Sequence, residues 1–211
     1  MNRLPRNVTS DILVLSLLSV LGIIGYETSF GDLNFMLAAG AGLVVGTLVA
    51  VAGAVWRLGV LTTVLLGLAA YFLLGSPFTM PAETLFGVLP SLASLTGLAF
   101  GAVYGWADIV TIGTPVEAPY YIAVVPYFAA WLVSLVGTML ATRWLPKRRT
   151  ALRASVLLIG PVLLYLSGIL LGTDEAFFAG VRGVSFAVIA LVWIAWHRGT
   201  TVEARRSRPV R

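Results

Sequence analysis

The sequence predicts an all-α polytopic membrane helix bundle, with six transmembrane helices plus one extracytoplasmic helix that is interfacial or re-entrant. Composition is the first observation behind this fold class. The 211 residues are 59% hydrophobic and 11% charged, with a mean hydropathy of +0.96. Soluble domains carry charge on about a quarter of their residues. Lipid must therefore cover much of the surface of this protein.

The distribution of charge is the second observation, because basic and acidic residues alternate between successive polar breaks. The basic breaks contain Arg3, Arg6, Arg57, Arg143, Lys147, Arg148, Arg149, Arg153, Arg198, Arg205, Arg206, Arg208 and Arg211. The acidic breaks contain Glu27, Asp32, Glu83, Asp108, Glu117, Asp174 and Glu175. Loops rich in Lys and Arg face the cytoplasm. This pattern predicts a multi-pass protein of the cell membrane with both termini in the cytoplasm.

The third observation is a series of long apolar runs. A helix needs about 20 apolar residues to cross a bilayer, and an open strand there would leave its backbone polar groups unsatisfied. The predicted helices cover residues 11–26, 33–56, 58–74, 120–144, 155–171 and 177–196. Ser10 is the expected N-cap of the first helix. Only Arg57 separates the second helix from the third, and Pro126 and Pro161 are expected to kink the fourth and fifth.

Residues 92–110 are also long enough to cross, which would give seven spans. A seventh crossing would place the basic residues 147–149 outside and Asp174 inside, against the positive-inside pattern. We therefore predict an outer helix at about 91–110, with Ser91 as its N-cap. The predicted domains are a six-span membrane domain at 1–198 and a basic cytoplasmic tail at 199–211.

Two ridges of small residues recur at every fourth position. They are Ala38, Gly42, Gly46, Ala50 and Ala54 in the second helix, and Gly97, Gly101 and Gly105 in the outer helix. Small side chains on one stripe allow helix backbones to approach closely. The expected role of these glycines is helix packing within the bundle, and the alternative is a docking face for another subunit.

The sequence offers no candidate catalytic, cofactor-binding or metal-binding residues. There is no cysteine, which excludes disulfides, thiolate nucleophiles and Cys-based metal sites within these residues. The single histidine, His197, is expected to be a solvated interface residue with no carboxylate nearby. Ser167 is expected at a different depth from His197, so an intramembrane serine protease is not indicated. No cofactor is predicted.

Arg182 is the one charge well inside a predicted span. A charge within the hydrocarbon is costly unless it is paired or reaches the headgroups. We expect a structural ion pair between Arg182 and Asp108, which would tie the outer helix to the sixth span. The alternatives are pairing with Glu117, Asp174 or Glu175, and snorkelling to the outer headgroups.

The net charge of +5 and the pI of about 10 do not indicate a nucleic-acid partner. The basic residues are divided among short clusters next to the predicted spans. Such clusters are attracted to anionic headgroups of the cytoplasmic leaflet. The predicted partner is therefore the lipid bilayer, with an envelope protein as a further candidate.

Residues 105–111 read Gly-Trp-Ala-Asp-Ile-Val-Thr, and residues 114–116 read Thr-Pro-Val before the fourth span. The basic loop at 147–149 and a Pro161-containing span ending in Ser-Gly-Ile-Leu-Leu follow. From about residue 11 to 197 this order resembles the N-terminal membrane region of bacterial transglutaminase-like proteins of the TgpA type. The resemblance implies a later extracytoplasmic domain with a Cys-His-Asp triad. This chain contains no cysteine, so no catalytic residue is carried over.

The function expected from the sequence is that of a membrane-embedded anchoring or assembly domain, similar to the membrane part of such an envelope protein and without catalysis of its own. The alternative is a small transporter component, such as a substrate-binding subunit of an energy-coupling importer. Six spans in about 200 residues fit both classes. An enzyme acting within the membrane ranks last, because no nucleophile and base pair is evident.

Overall fold

A computed structural model describes residues 4–26, 34–111, 121–147, 150–171 and 178–206. Within these residues the regular structure is helical, apart from an isolated bridge between Leu85 and Leu89. The helices are α1 (Arg6–Ile23), α2 (Asn34–Val55), α3 (Val60–Thr79), α4 (Leu92–Thr111), α5 (Val124–Arg143), α6 (Ala151–Leu157), α7 (Ile159–Leu170) and α8 (Ala179–Arg206). Short 3₁₀ turns follow α1, α3 and α5.

Seven helical segments in the described ranges are long and apolar enough to cross a membrane, with α6 and α7 counted as one. The predicted all-α polytopic fold is therefore confirmed, and the protein is a multi-pass membrane protein. These seven segments include α4, the helix that the charge pattern places on the outer surface. Packing contacts distinguish α4 from the other six.

Helices α3 and α5 lie side by side and run in opposite directions. Thr63 at the start of α3 accepts a 2.7 Å hydrogen bond from Arg143 at the end of α5. At the other end of the pair, Gly75 lies against the ring of Tyr127, which is in the first turn of α5. A complete crossing by α4 would have made α3 and α5 parallel. The contacts therefore favour six alternating spans.

The bundle has two ends, which we name by their residues. The basic end contains the start of α1, the α2–α3 turn and the α5–α6 connection, with Arg57, Arg143 and Arg153. The opposite end contains the end of α1, the start of α2 and the start of α5, where Tyr26, Phe35 and Val125 share one buried cluster.

Helix α4 contacts the opposite end along its whole length. Near its start, the carbonyl of Leu98 accepts a 3.0 Å hydrogen bond from the Tyr71 hydroxyl. Near its end, Ile109 joins the buried cluster that contains Tyr26 and Phe35. Ser91 caps the helix as predicted, because its hydroxyl accepts from the Ser94 N–H at 3.0 Å. This arrangement agrees with an outer helix that lies across the ends of the spans.

The α2–α3 connection is a tight turn closed by its own backbone. Arg57 adopts a left-handed conformation with φ of 55°. The Leu58 N–H donates to the Gly53 carbonyl at 2.9 Å, as in a Schellman motif. Arg143 holds the turn from outside, because its Nη1 donates to the Leu58 carbonyl at 2.9 Å.

Two local predictions were wrong, and a third is confirmed. Helix α1 begins at Arg6 with Pro5 as the N-cap residue, and Ser10 instead donates within the helix to the Arg6 carbonyl. Pro126 does not break α5, because it lies in the first turn, where its missing N–H has no helical partner to lose. The break near Pro161 is confirmed, since α6 and α7 separate at Leu158, three residues before it.

Candidate functional sites at the two ends of the bundle

At the basic end, a polar cluster joins the first and last helices. Asp11 and His197 are 3% and 2% exposed. The Trp193 indole N–H donates to Asp11 Oδ1 at 3.1 Å, and His197 Nε2 lies 3.4 Å from the same oxygen. The His197 and Trp193 rings also pack in an edge-to-face arrangement, with centroids 4.9 Å apart. The cluster therefore joins α1 to α8 within the span region.

The contact of His197 Nδ1 indicates whether this nitrogen carries a hydrogen. Nδ1 lies 2.9 Å from the Trp193 carbonyl oxygen, which can only accept, so Nδ1 carries a hydrogen. Nε2 then faces a carboxylate oxygen of Asp11. One further proton, either on Nε2 or on the carboxylate, makes this contact attractive. The Asp11–His197 contact therefore joins α1 to α8 through buried polar groups.

The prediction of a solvated His197 without a carboxylate nearby was therefore wrong. The histidine lies at the end of an apolar span, where a headgroup position is the usual expectation. In the folded bundle, α1 and α8 meet at the basic end, which covers the ring and brings Asp11 to it. Asp11, the predicted first residue of the first span, instead lies buried within α1.

At the opposite end, Arg182 lies in the first turn of α8 and is 7% exposed. Its guanidinium carbon lies 5.6 Å from the centroid of the Tyr165 ring. Its Nη2 would lie 3.6 Å from a Cβ placed on Gly25, so it reaches the end of α1. Its Nε has no hydrogen-bond partner. Arg182 is thus a buried cation between α1, α7 and α8.

The structure does not bring Arg182 and Asp108 into contact. One carboxylate oxygen of Asp108 instead accepts a 2.8 Å hydrogen bond from the Tyr121 hydroxyl, which ties α4 to the residues just before α5. The alternative partners Glu117, Asp174 and Glu175 lie outside the described residues.

The predicted packing glycines lie at helix crossings. A Cβ on Gly42 would meet the Tyr127 carbonyl, and one on Gly46 would meet the Trp131 carbonyl at 2.5 Å. On α4, a Cβ on Gly101 or Gly105 would meet Val124 at 2.7 Å or Val125 at 2.6 Å. Gly97 is buried on the same face of α4.

Another close crossing, between α1 and α7, was not found from the sequence. A Cβ on Gly168 would lie 3.1 Å from the backbone of Gly25, and one on Gly22 would lie 3.1 Å from the Tyr165 nitrogen. Beside this crossing, the Tyr26 and Ser167 hydroxyl oxygens are 2.6 Å apart and share a hydrogen bond. The spacing of Gly22 and Gly25 is three residues, so a search for four-residue steps passes over it.

A small cavity between α1, α5 and α7 is lined in part by the hydroxyl groups of Ser16, Ser19, Ser134 and Thr138. It has room for about one water molecule. The Ser19 and Ser134 hydroxyls donate to carbonyls of their own helices, at 2.9 and 3.1 Å. Their oxygens are therefore left as acceptors, which suits a single bound water.

These features define a helical multi-pass membrane protein with a buried polar cluster at the basic end of its bundle and a buried arginine at the opposite end. Within the described ranges, no group of three or more His, Cys, Asp or Glu residues is placed to hold a metal ion. The chain matches no family model, no curated protein and no solved structure. The resemblance to the membrane region of TgpA-type proteins stays a prediction.

Proposed function

We propose that this protein is a membrane-embedded anchoring or assembly domain of the cell envelope, with no catalysis of its own. The observation that carries the proposal is the surface of α4. This helix is fixed on the bundle by its small-residue face, and it turns an apolar face outward. A rigid apolar face of this kind suits a second helix.

The small-residue face of α4 packs on the bundle through Gly97, Gly101 and Gly105. Hydrogen bonds from Tyr71 and Tyr121 hold the helix in place. The outward face carries exposed large side chains at Leu92, Phe100, Val103, Tyr104 and Val110. The Phe100 and Tyr104 rings stack on each other with centroids 5.7 Å apart, which makes this face a fixed ridge.

The turn before α4 extends the ridge. Phe86 is 95% exposed, with Leu85, Val88 and Leu89 exposed beside it. Both Phe86 and Gly87 have positive φ values, of 55° and 75°, so the turn holds the phenyl ring outward. Large exposed apolar patches mark surfaces for a protein partner or for lipid. We propose that an apolar helix of an envelope protein covers this ridge.

Site-specific photocrosslinking tests the proposal. A photoreactive amino acid at Val103 is expected to give one discrete protein adduct in cells, because the partner would cover this face. The matched control is Leu191, which is similarly exposed but lies on α8. It is expected to give lipid adducts alone. Lipid adducts alone at Val103 would refute the docking of a protein on α4.

The runner-up function is a small transporter component, such as a substrate-binding subunit of an energy-coupling importer. Pockets for small molecules usually have volumes of about 300–1,000 Å³. The hydroxyl-lined cavity between α1, α5 and α7 has room for about one water, so it does not support a vitamin-sized ligand. Copurification with coupling ATPase subunits, in place of envelope proteins, would favour this alternative.

The proposed orientation places the basic end in the cytoplasm, as the positive-inside pattern predicts. Because the chain has no cysteine, single cysteines introduced at Arg57 and Ala82 have no background. In intact cells, a membrane-impermeant maleimide is expected to label position 82 at the opposite end, and position 57 only after permeabilisation. Labelling of both positions from one side would contradict the crossing of α3 between them and the proposed orientation of the bundle.

A further inference from the structure

Arg182 is a buried cation for which the described part of the structure supplies no anion. Its side chain is 7% exposed, and its Nε lacks a hydrogen-bond partner. Among the described residues, its side chain lies near the aromatic ring of Tyr165 and near Gly25. Buried charges in membrane proteins are paired with an opposite charge or with backbone carbonyls, and they mark ligand and ion sites.

The position of Arg182 in its helix increases the need for an anion. It lies in the first turn of α8, which contains no acidic residue. The N-terminus of a helix carries a partial positive charge and favours anions, so a cation here has the unfavourable sign. Arg182 and the N-terminus of α8 therefore both favour an anion at this end of the helix. An anion bound here would interact favourably with both.

The shape of the site indicates which anion would fit. A guanidinium presents a planar fork of N–H donors that matches the oxygens of phosphate or carboxylate. The first N–H groups of α8 add further donors, as at other helix N-termini that bind phosphate. The Tyr165 hydroxyl oxygen lies beside Gly183, because a Cβ built on this glycine would be 3.0 Å from it. This hydroxyl is another polar group near Arg182.

The surface below the site is apolar. Val181, Val184 and Val188 are exposed along α8 from the level of Arg182 toward the middle of the helix. An acyl chain could lie along this stripe while its headgroup meets the guanidinium. We propose that Arg182 and the N-terminus of α8 form a binding site for a phosphate group at the opposite end of the bundle. The phosphate belongs to a phospholipid headgroup or to a free phosphate compound.

The test uses the full chain purified in a neutral detergent and measures its thermal unfolding. The probes are short-chain phosphatidylglycerol, inorganic phosphate and short-chain diacylglycerol. Phosphatidylglycerol is expected to raise the unfolding temperature of the native chain, and diacylglycerol is not. A shift with inorganic phosphate as well identifies a site for the free ion. A shift with phosphatidylglycerol alone identifies a lipid site. An equal shift with diacylglycerol would overturn the proposal.

The variant Arg182→Gln is expected to abolish the shift. The matched control is Arg198→Gln, which changes an exposed arginine of the same helix at the basic end and is expected to keep it. If Arg182→Gln does not fold, Arg182→Lys replaces it. Lys keeps the charge but loses the planar fork, so the apparent affinity for phosphatidylglycerol should fall several-fold. An unchanged affinity in the variant used would overturn the proposal.

The main competing explanation is a carboxylate of the chain itself. In that case Asp174→Asn with Glu175→Gln would lower the unfolding temperature, and the loss would not add to that of the Arg182 variant. Such coupling without any response to phosphate probes would overturn the proposal. This result would leave the anchoring function untouched, since that function depends on α4.

Discussion

Replacing Gly42 with alanine is expected to destabilise the bundle by about 1–3 kcal/mol, which is the usual cost of overpacking a core. The new Cβ would meet the Tyr127 carbonyl oxygen and would lie 3.1 Å from the Trp131 nitrogen. Both are backbone atoms of α5, so neither can move without shifting the helix. Thermal unfolding in detergent, followed by circular dichroism, measures the loss.

Gly40 provides the matched control, because it lies in the same helix and a Cβ there would meet nothing within 4 Å. Gly40→Ala is expected to be neutral or to stabilise by up to about 1 kcal/mol, since alanine has the higher helix propensity. Equal unfolding temperatures for Gly42→Ala and Gly40→Ala would contradict the close contact between α2 and α5.

The small-residue ridge of α2 shows what sequence can predict about packing. A stripe of small residues at four-residue spacing indicates a close helix crossing, because small side chains admit a second backbone. The pattern does not identify the second helix. That helix is α5, whose Tyr127, Trp131 and Ser134 face the stripe but do not repeat its pattern of small residues. The choice of partner depends on the whole arrangement of helices.

The charge pattern predicted an outer helix, and hydropathy alone did not. By length and composition α4 also qualifies as a spanning segment, although it is the least apolar of the seven. The alternation of basic and acidic breaks constrains the directions of all helices together, and the antiparallel contact of Thr63 with Arg143 agrees with it. Local composition therefore identified the helices, whereas long-range charge order predicted their directions.

The sequence does not predict the Asp11–Trp193–His197 cluster at the basic end. Asp11 and Trp193 are 182 positions apart, and no spacing rule connects the first and last helices. The apolar run alone predicts that the first helix starts at Asp11, with Ser10 as its N-cap. Trp193 and His197 instead contact this carboxylate, and the helix continues through Asp11 and begins at Arg6.

Replacing Asp11 with leucine is expected to be the most damaging of the substitutions considered, at about 3–5 kcal/mol. Removing one partner of a buried ion pair usually costs this much, because the other partner stays buried without it, and the contact is such a pair when the imidazole is protonated. Here the Trp193 indole N–H loses the oxygen to which it donates, and His197 Nε2 loses the carboxylate. Chemical or thermal unfolding in detergent measures the loss. Asn at position 11 keeps the shape and one acceptor, so it should cost less.

The double variant Asp11→Leu with His197→Leu distinguishes a paired cluster from two separate polar residues. Removing both members replaces the pair with apolar side chains, which is often neutral relative to the intact pair. The double variant is therefore expected to be more stable than the sum of the single losses predicts, by at least about 1 kcal/mol. The control is Asp108→Leu in α4, which removes the contact of Asp108 with Tyr121. Its loss of stability should simply add to that of Asp11→Leu. Additive losses for Asp11 and His197 would show that the two side chains do not act as a pair.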